Sequence, residues 1–340
     1  MNLPKQNISD LLKLANLYPS PHNGQPIRLK QHSDDSFDLY FERERGLQAA
    51  DISFLFSFVA MGVFVEHMAL SAQALGHGFR YELELPKQQD LHGSGTVLFA
   101  RCFLKWNASE PDAKLLQTLH FRQTSRKKYY EGVNSELDTV IERLAFSARM
   151  TLGQLDKQQT KQAIWLNQRA VFDDMFDEPV RKELDHWLRY SKRQKQTEHD
   201  GLAYDCMELN GRLMKYIVDH PRILRAPGIS KLIQQYYLRT MTDASDVYYM
   251  LAPFAAEQDA FKIGIVIMKI WKEVAERGYY LHPFGTIMSN HAAHRDFLKV
   301  ADIHDESRER SYLVFIFRCG KSKPPHASLR IPFSEHLILE

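Results

Sequence analysis

Between Phe121 and Lys128 two arginines flank a hydroxyl, with Arg122, Thr124 and Arg126 at every second position. In an extended segment that spacing puts the three side chains on one side. Planar guanidinium groups offer paired donors to an anion and threonine adds a neutral one, so the strip can cradle a phosphate. A solvated basic strip has the same composition, and the residues alone leave both readings open. A second segment, Tyr18 to Pro26, sets Ser20, Asn23 and Gln25 among three prolines. Prolines lower the entropy lost when a loop orders, so such a loop can present polar side chains ready-placed, or it can be a plain surface loop. A third runs from Gly278 to Gly285. Gly278 fits a helix cap and the rest a turn; alternatively Gly285 allows close backbone approach to a flat ring, with Pro283 or Phe284 against its face. In the basic, proline-rich tail Arg330 can reach an anion, and equally can be an ordinary exposed arginine.

Other chemistries find no support. Gly320-Lys321-Ser322 follows a strand-like run, but Phe315 stands where a P-loop needs its first glycine. Gly76-His77-Gly78 has Tyr81 in place of the third glycine of a dinucleotide fingerprint. There is no G-x-S-x-G elbow and no HExxH, and His291 and His294 on one helix face are too few for a metal site. The expectation is therefore no metal and no dedicated catalytic acid, base or nucleophile. Cys102, Cys206 and Cys319 lie far apart and form no CxxC, which removes a zinc ribbon or dithiol motif.

These segments need elements to position them. Ile8 to Leu17 has helical apolar spacing, and Phe37, Leu39 and Phe41 alternate as a half-buried strand does. The apolar run Phe54 to Leu75 contains Glu66, His67 and Gln73, which predicts a core helix, ended by Gly76, and not a membrane span. Strands follow around Phe79 to Leu85 and Thr96 to Trp106, then a polar stretch, Asn107 to Asp112, marks a boundary. A short helix from Ala113 leads into the basic strip. Helix-rich sequence follows, with an insertion over about 186–251 that reads as a lid broken by Pro221 and Pro227. An apolar helix, Phe261 to Ala275, then the loop His282 to Gly285 and the strand Tyr312 to Phe317 complete the pattern. The 340 residues, with 44% hydrophobic and 25% charged, exclude disordered and fibrous classes. A net charge of +2 argues against nucleic acid or an anionic membrane as partner, and the absence of an apolar leader places the chain in the cytoplasm.

Taken together, the segments resemble the nitroreductase-like flavoproteins, in their long, tandem, single-chain branch. Arg122, Thr124 and Arg126 match that family's Arg-x-Ser/Thr-x-Arg/Lys element, which binds the FMN phosphate and flavin edge. Pro19, Ser20, Asn23, Gln25 and Pro26 match its Pro-Ser-x-x-Asn-x-Gln-Pro element, with Ile27 where the family places an aromatic residue. Gly278, Pro283 and Gly285 match its Gly-x-x-x-x-Pro-x-Gly/Ser turn, which brings a backbone N–H to flavin N5, and Arg330 takes the place of its C-terminal basic residue.

The resemblance implies an α+β fold of two half-domains, 1–112 and 113–340, each a mainly antiparallel sheet flanked by helices. They would form a pseudo-dimer with one complete FMN site, so that the chain need not dimerise. The implied cofactor-binding residues are Ser20, Asn23, Gln25, Arg122, Thr124, Arg126, Pro283, Phe284, Gly285 and Arg330. NAD(P)H would supply hydride, and a nitroaromatic or quinone-like acceptor would take it. A flavin store without turnover on the same fold, and a nucleic-acid or phosphopeptide partner for the basic strip, are the rival readings.

Overall fold

Leu11, Leu12, Leu14 and Ala15 give the first helix, α1 (Ile8–Ala15), a dry face, and that face is buried. The computed structural model describes residues 8–51, 55–241, 245–303 and 312–338. After α1 come β1 (Ile27–Gln31), β2 (Ser36–Glu42), α2 (Leu55–Ala74), β3 (Gly78–Leu83) and β4 (Thr96–Lys105). The strands make one antiparallel sheet in the order β1-β2-β4-β3. Phe37, Leu39 and Phe41 alternate onto its buried face, opposite Cys102, Ala100 and Val97.

The chain continues through α3 (Ala113–Phe121), β5 (Tyr129–Glu131), α4 (Ser135–Ser147), β6 (Thr151–Gln154) and α5 (Lys157–Asp174). A run of short elements then forms a cover: α6 (Glu178–Trp187), β7 (Leu188–Arg189), α7 (Lys192–Glu198), β8 (Leu202–Ala203), α8 (Gly211–Asp219) and α9 (Pro227–Met241). The last section holds β9 (Asp246–Ala252), α10 (Glu257–Glu276), β10 (Tyr280–Pro283), α11 (Gly285–Ser289), α12 (His291–Val300) and β11 (Tyr312–Ser322). A second antiparallel sheet runs β10-β11-β9-β6, with β5 on the far end of β11, and β7 and β8 form a short parallel pair in the cover. The architecture is mixed α+β, with 12 α-helices among the described residues.

Helices α2 and α10 pack against each other inside one continuous core to which both sheets contribute. The crossing is set by two glycines. A Cβ on Gly62 would lie 2.0 Å from the Phe261 carbonyl oxygen, and one on Gly264 would lie 2.2 Å from that of Val59. No side chain fits between backbones this close. Gly264→Val should therefore cost about 3 kcal/mol or more, at the upper end of overpacking effects, because the obstruction is backbone. A denaturant midpoint equal to the parent's would contradict so tight a crossing. Among the described residues α2 is also the one helix long and apolar enough to cross a membrane, and 67% of that stretch is buried inside the fold. Its buried His67 meets the Leu14 carbonyl at 3.1 Å, and Ser71 donates to the His67 carbonyl at 2.7 Å.

Several sequence expectations hold in place. Both long helices end at a glycine in the left-handed region, Gly76 (φ 77°) and Gly278 (φ 75°), and each is followed by a strand. Others change. The expected loop His282 to Gly285 is the end of β10, where His282 pairs with Arg318 and Pro283 with Phe317, and then the start of α11. Buried Tyr280 and Leu281 need ladder partners for their backbone, and β11 supplies them. The expected insertion to about residue 251 ends earlier, because β9 lies inside the second sheet between β11 and β6. The C-terminal tail also crosses back to the first sheet: Leu337 bridges Leu29, and the Ile338 amide donates to the Leu29 carbonyl at 2.8 Å.

Candidate functional site

The Pro/Asn/Gly loop after α1 is held in an uncommon shape. His22, Asn23 and Gln25 all have positive φ, at 49°, 55° and 52°. For residues other than glycine each such conformation costs about 1 kcal/mol or more, and survives only where surroundings over-determine it. Here the Gln25 amide donates to Ser20 Oγ at 3.0 Å, and the Gln25 side chain donates to the His199 carbonyl and accepts from the Ile331 amide. Asn23 Nδ2 reaches the carbonyls of Leu329 (3.1 Å) and Gly201 (3.3 Å). The loop is thus pinned to both cover and tail. The cover is clamped in turn: Arg45 and Arg189 converge on Asp200, and Glu183 accepts from the amides of Ala49 and Ala50.

Two guanidinium groups meet beneath this loop. Arg122 stands at the end of α3, whose start is capped by Asp112 accepting from the Leu115 amide. Arg122 donates to the Leu17 carbonyl at 2.6 Å and lies 5.0 Å over the Trp271 ring. Arg330 donates to the carbonyls of Asn16 (3.0 Å), Tyr18 (3.3 Å) and Leu17 (3.4 Å). Those carbonyls follow the end of α1, where partial negative charge collects. Neither arginine has a carboxylate within ion-pair distance among the described residues. Burial, then the Arg330 charge, draws Arg122 down to about 9, and burial draws Arg330 down to about 10. A buried cation and a half-buried one side by side, without a carboxylate among the described residues, make a site whose electrostatics an anion would complete.

A neutral donor stands nearby. Arg318 Nε donates to His282 Nδ1 at 3.2 Å. Arginine offers donors only, so Nδ1 is bare and the ring proton sits on Nε2. Burial, with Arg126 and Arg318 adding, pushes this imidazole well below its ordinary pKa, so it is neutral at pH 7. Thr124 is brought beside it by a bridge to Leu281.

Arg122, Arg330, Thr124 and His282 line one cavity of about 1140 Å3, above the usual ~300–1,000 Å3 of small-molecule sites. Eight residues singled out from the sequence line it: Ser20, Asn23, Arg122, Thr124, Arg126, Pro283, Gly285 and Arg330. Two do not. Gln25 is fully buried and spends both ends of its amide on loop, cover and tail, so it shapes the site without facing it. Phe284 is 1% exposed and packs in the core beneath α11 and α12, edge-on to His282. The directions of both side chains depend on contacts distant in sequence, Gln25 on His199 and Ile331, and Phe284 on the cluster it shares with Leu155 and Ile164. The sequence reading missed Trp271, His282 and Cys206, which also line the cavity. Trp271 sits in an apolar helical run that gives no sign of a site. Cys206 is buried, donates to the His326 carbonyl and has its pKa raised by burial, so it stays a thiol.

The residues present fit an FMN-like ligand. Arg122 Nε, Trp271 Nε1, Gln123 Oε1 and His22 Nδ1 are buried, lack partners and belong to residues of the cavity wall. A Cβ added to Gly285 would meet only open space, so the backbone there can be approached closely. The wall is also rich in apolar side chains, Leu184, Leu188, Met214, Val218 and Leu224 from the cover and Met288 from α11. Comparison with protein-family models and with curated proteins returns no match to this chain.

Proposed function

We propose that this chain is an FMN-binding oxidoreductase of the nitroreductase-like kind, with the two sheets and their central helices as a pseudo-dimer around one flavin site. The carrying observation is the pair of neighbouring arginines, buried Arg122 and half-buried Arg330, which line a large, mainly apolar cavity and have no carboxylate partner among the described residues. Support for the pseudo-dimer comes from the repeated order of long helix, left-handed glycine and antiparallel strand, with α2 and α10 crossing at glycines.

Flavin, when bound, relays two electrons from NAD(P)H to a quinone-like or nitroaromatic acceptor, a quinone taking up two protons in all, one of them from solvent. The chain's own groups bind and orient. Arg122 and Arg330 neutralise phosphate, with Thr124 and Arg126 beside them. His282 keeps a neutral Nε2–H available to a ring acceptor, and Gly285 lets backbone come close. Trp271 and the cover's apolar residues exclude water, which strengthens each polar contact inside. A flavin store is the second reading, favoured by the clamps that Asp200 and Glu183 place on the cover. The cavity volume favours the reductase, since it leaves room for a second planar molecule.

The visible spectrum of the purified protein, with acid release of any chromophore, tests the reading. About one FMN per chain is expected, and anaerobic NAD(P)H should bleach it within seconds if this is a reductase. Retained flavin that NAD(P)H leaves oxidised would mean a store. A protein that neither carries nor takes up FMN would overturn both.

A further inference from the structure

Four large apolar residues that line the cavity are well exposed: Tyr130 (65%) on β5 and, on or beside the cover helices, Leu209 (41%), Leu213 (53%) and Tyr236 (57%). They mark where it opens. Around them Tyr216 on α8 and Ile229 and Leu232 on α9 are exposed as well, Leu232 at 68%. Leu213 and Tyr216 are spaced for one helix face, as are Ile229, Leu232 and Tyr236. Beneath them Met214 and Val218 of α8, Leu224 of the turn Pro221–Arg225 and Ile233 of α9 share one apolar cluster. The cover is therefore dry on both sides. Exposed leucine, isoleucine and tyrosine side chains grouped on these helices fit a contact surface.

The charges left without an ion pair on α8, α9 and the turn between them are of one sign among the described residues. Arg212, Arg222, Arg225 and Lys231 are exposed on the same segment and form no ion pair among the described residues, while its one acid, Asp219, is bound to Lys215. Exposed Lys128 and Lys323 add to the cavity edge. A net charge of +2 over 340 residues conceals this segregation. A second copy of the chain is a poor occupant, because in a two-fold contact the patch meets itself and brings like charges together. Basic residues beside exposed leucine, isoleucine and tyrosine match an anionic lipid surface instead.

We propose that α8 and α9 dock this face on an anionic lipid surface and that the cavity draws from it an acceptor with a long hydrocarbon tail. The substrate half rests on the flavoenzyme reading; the docking half does not. The test is co-sedimentation of the full chain with vesicles of phosphatidylcholine alone or mixed with phosphatidylserine. Binding is expected only to the mixed vesicles, weakened by salt, and weakened at least about tenfold by Leu232→Glu or by Arg212→Glu with Arg222→Glu. Flavin content and reduction of a tail-less, water-soluble quinone should be unchanged in these variants, since none of the three residues lines the cavity. Reduction of a long-tailed quinone held in mixed vesicles should fall with binding. Parent protein that ignores mixed vesicles, or variants that bind them equally, would overturn the docking. So would a dimer in sedimentation velocity that Leu232→Glu dissolves, since the patch would then belong to a second copy. Vesicle binding by a chain that carries no flavin would support docking and overturn the redox reading alone.

Discussion

Arg122→Met is expected to weaken FMN binding about a hundredfold and, in the flavin-free protein, to raise stability. The two effects share one cause. A buried guanidinium facing Arg330 with no carboxylate nearby is held at about 9, well under its ordinary 12.5. In a cation a depressed value means that the fold disfavours the charged form. At pH 7 the protein bears that penalty in full, and regains stability only as pH climbs past 9 toward 12.5. The shift corresponds to about 5 kcal/mol, against which the bond to Leu17 and the contact with Trp271 return about 3 kcal/mol. Methionine fills similar space without the charge, for a net gain of about 2 kcal/mol. With phosphate present the ledger reverses, because two charge-assisted hydrogen bonds at about 1.5 kcal/mol or more each are lost, a factor of about one hundred. Flavin titration and thermal melts of the apo-protein measure both. A variant that melts lower and keeps its flavin affinity would make Arg122 a structural residue.

That opposition between stability and binding is general to ligand sites, and it explains why the sequence signalled one part of this site and hid another. Charged residues at spacing two stand out, because nothing in a core asks for them. Arg122 and Arg126 stood out for that reason, with Thr124 between them, whereas Arg330 was singled out by its place in the tail and by the family resemblance. Pro283 and Gly285 were legible as backbone punctuation. Trp271 was not, since a tryptophan on an apolar helix looks the same whether its indole N–H faces packing or a cavity. His282 was overlooked because its usefulness as a donor depends on Arg318, a neighbour supplied by β11 from 36 positions away.

The fold divides in the same way. Period-two and period-3.6 patterns placed β2, β3, β4, α2 and α10 within a few residues, and glycine placed the ends of both long helices. The alternation of β9 was submerged in the helical sequence before it, and the turn before α11 concealed β10. Both are strands because β11 pairs with them, which is a fact about the assembled sheet and not about either segment. The cover was anticipated from its polarity. Its exposed leucines and tyrosines were not, because in sequence an amphipathic helix with a dry outer face resembles one with a dry inner face.

Acid should unfold this protein earlier than its nearly neutral charge implies. His22, His67 and His336 are held at about 4, 3 and 4, burial being the main cause, with Arg126, Arg122 and Arg28 next. Each is neutral in the fold where the unfolded chain would bind a proton below 6.5. A histidine so depressed contributes stability that is whole above 6.5 and drains away as pH falls toward its folded value. By pH 5 each has cost about 2 kcal/mol, or about 6 kcal/mol for the three. Two acids oppose this. Burial raises Asp51 and Asp174 to about 6, so in the fold they take up protons that the unfolded chain does not, and between pH 7 and 5 they return about 3 kcal/mol together. The net loss between pH 7 and 5 is about 3 kcal/mol, and His282 adds to it in the same direction. That is a large share of the roughly 5–15 kcal/mol that holds a folded domain. Urea midpoints at pH 7 and pH 5 measure it. His67→Gln, whose amide can still donate to the Leu14 carbonyl, should remove about 2 kcal/mol of the dependence. A midpoint that does not move with pH would mean that these rings reach water as they charge, and that the core around α2 opens without unfolding.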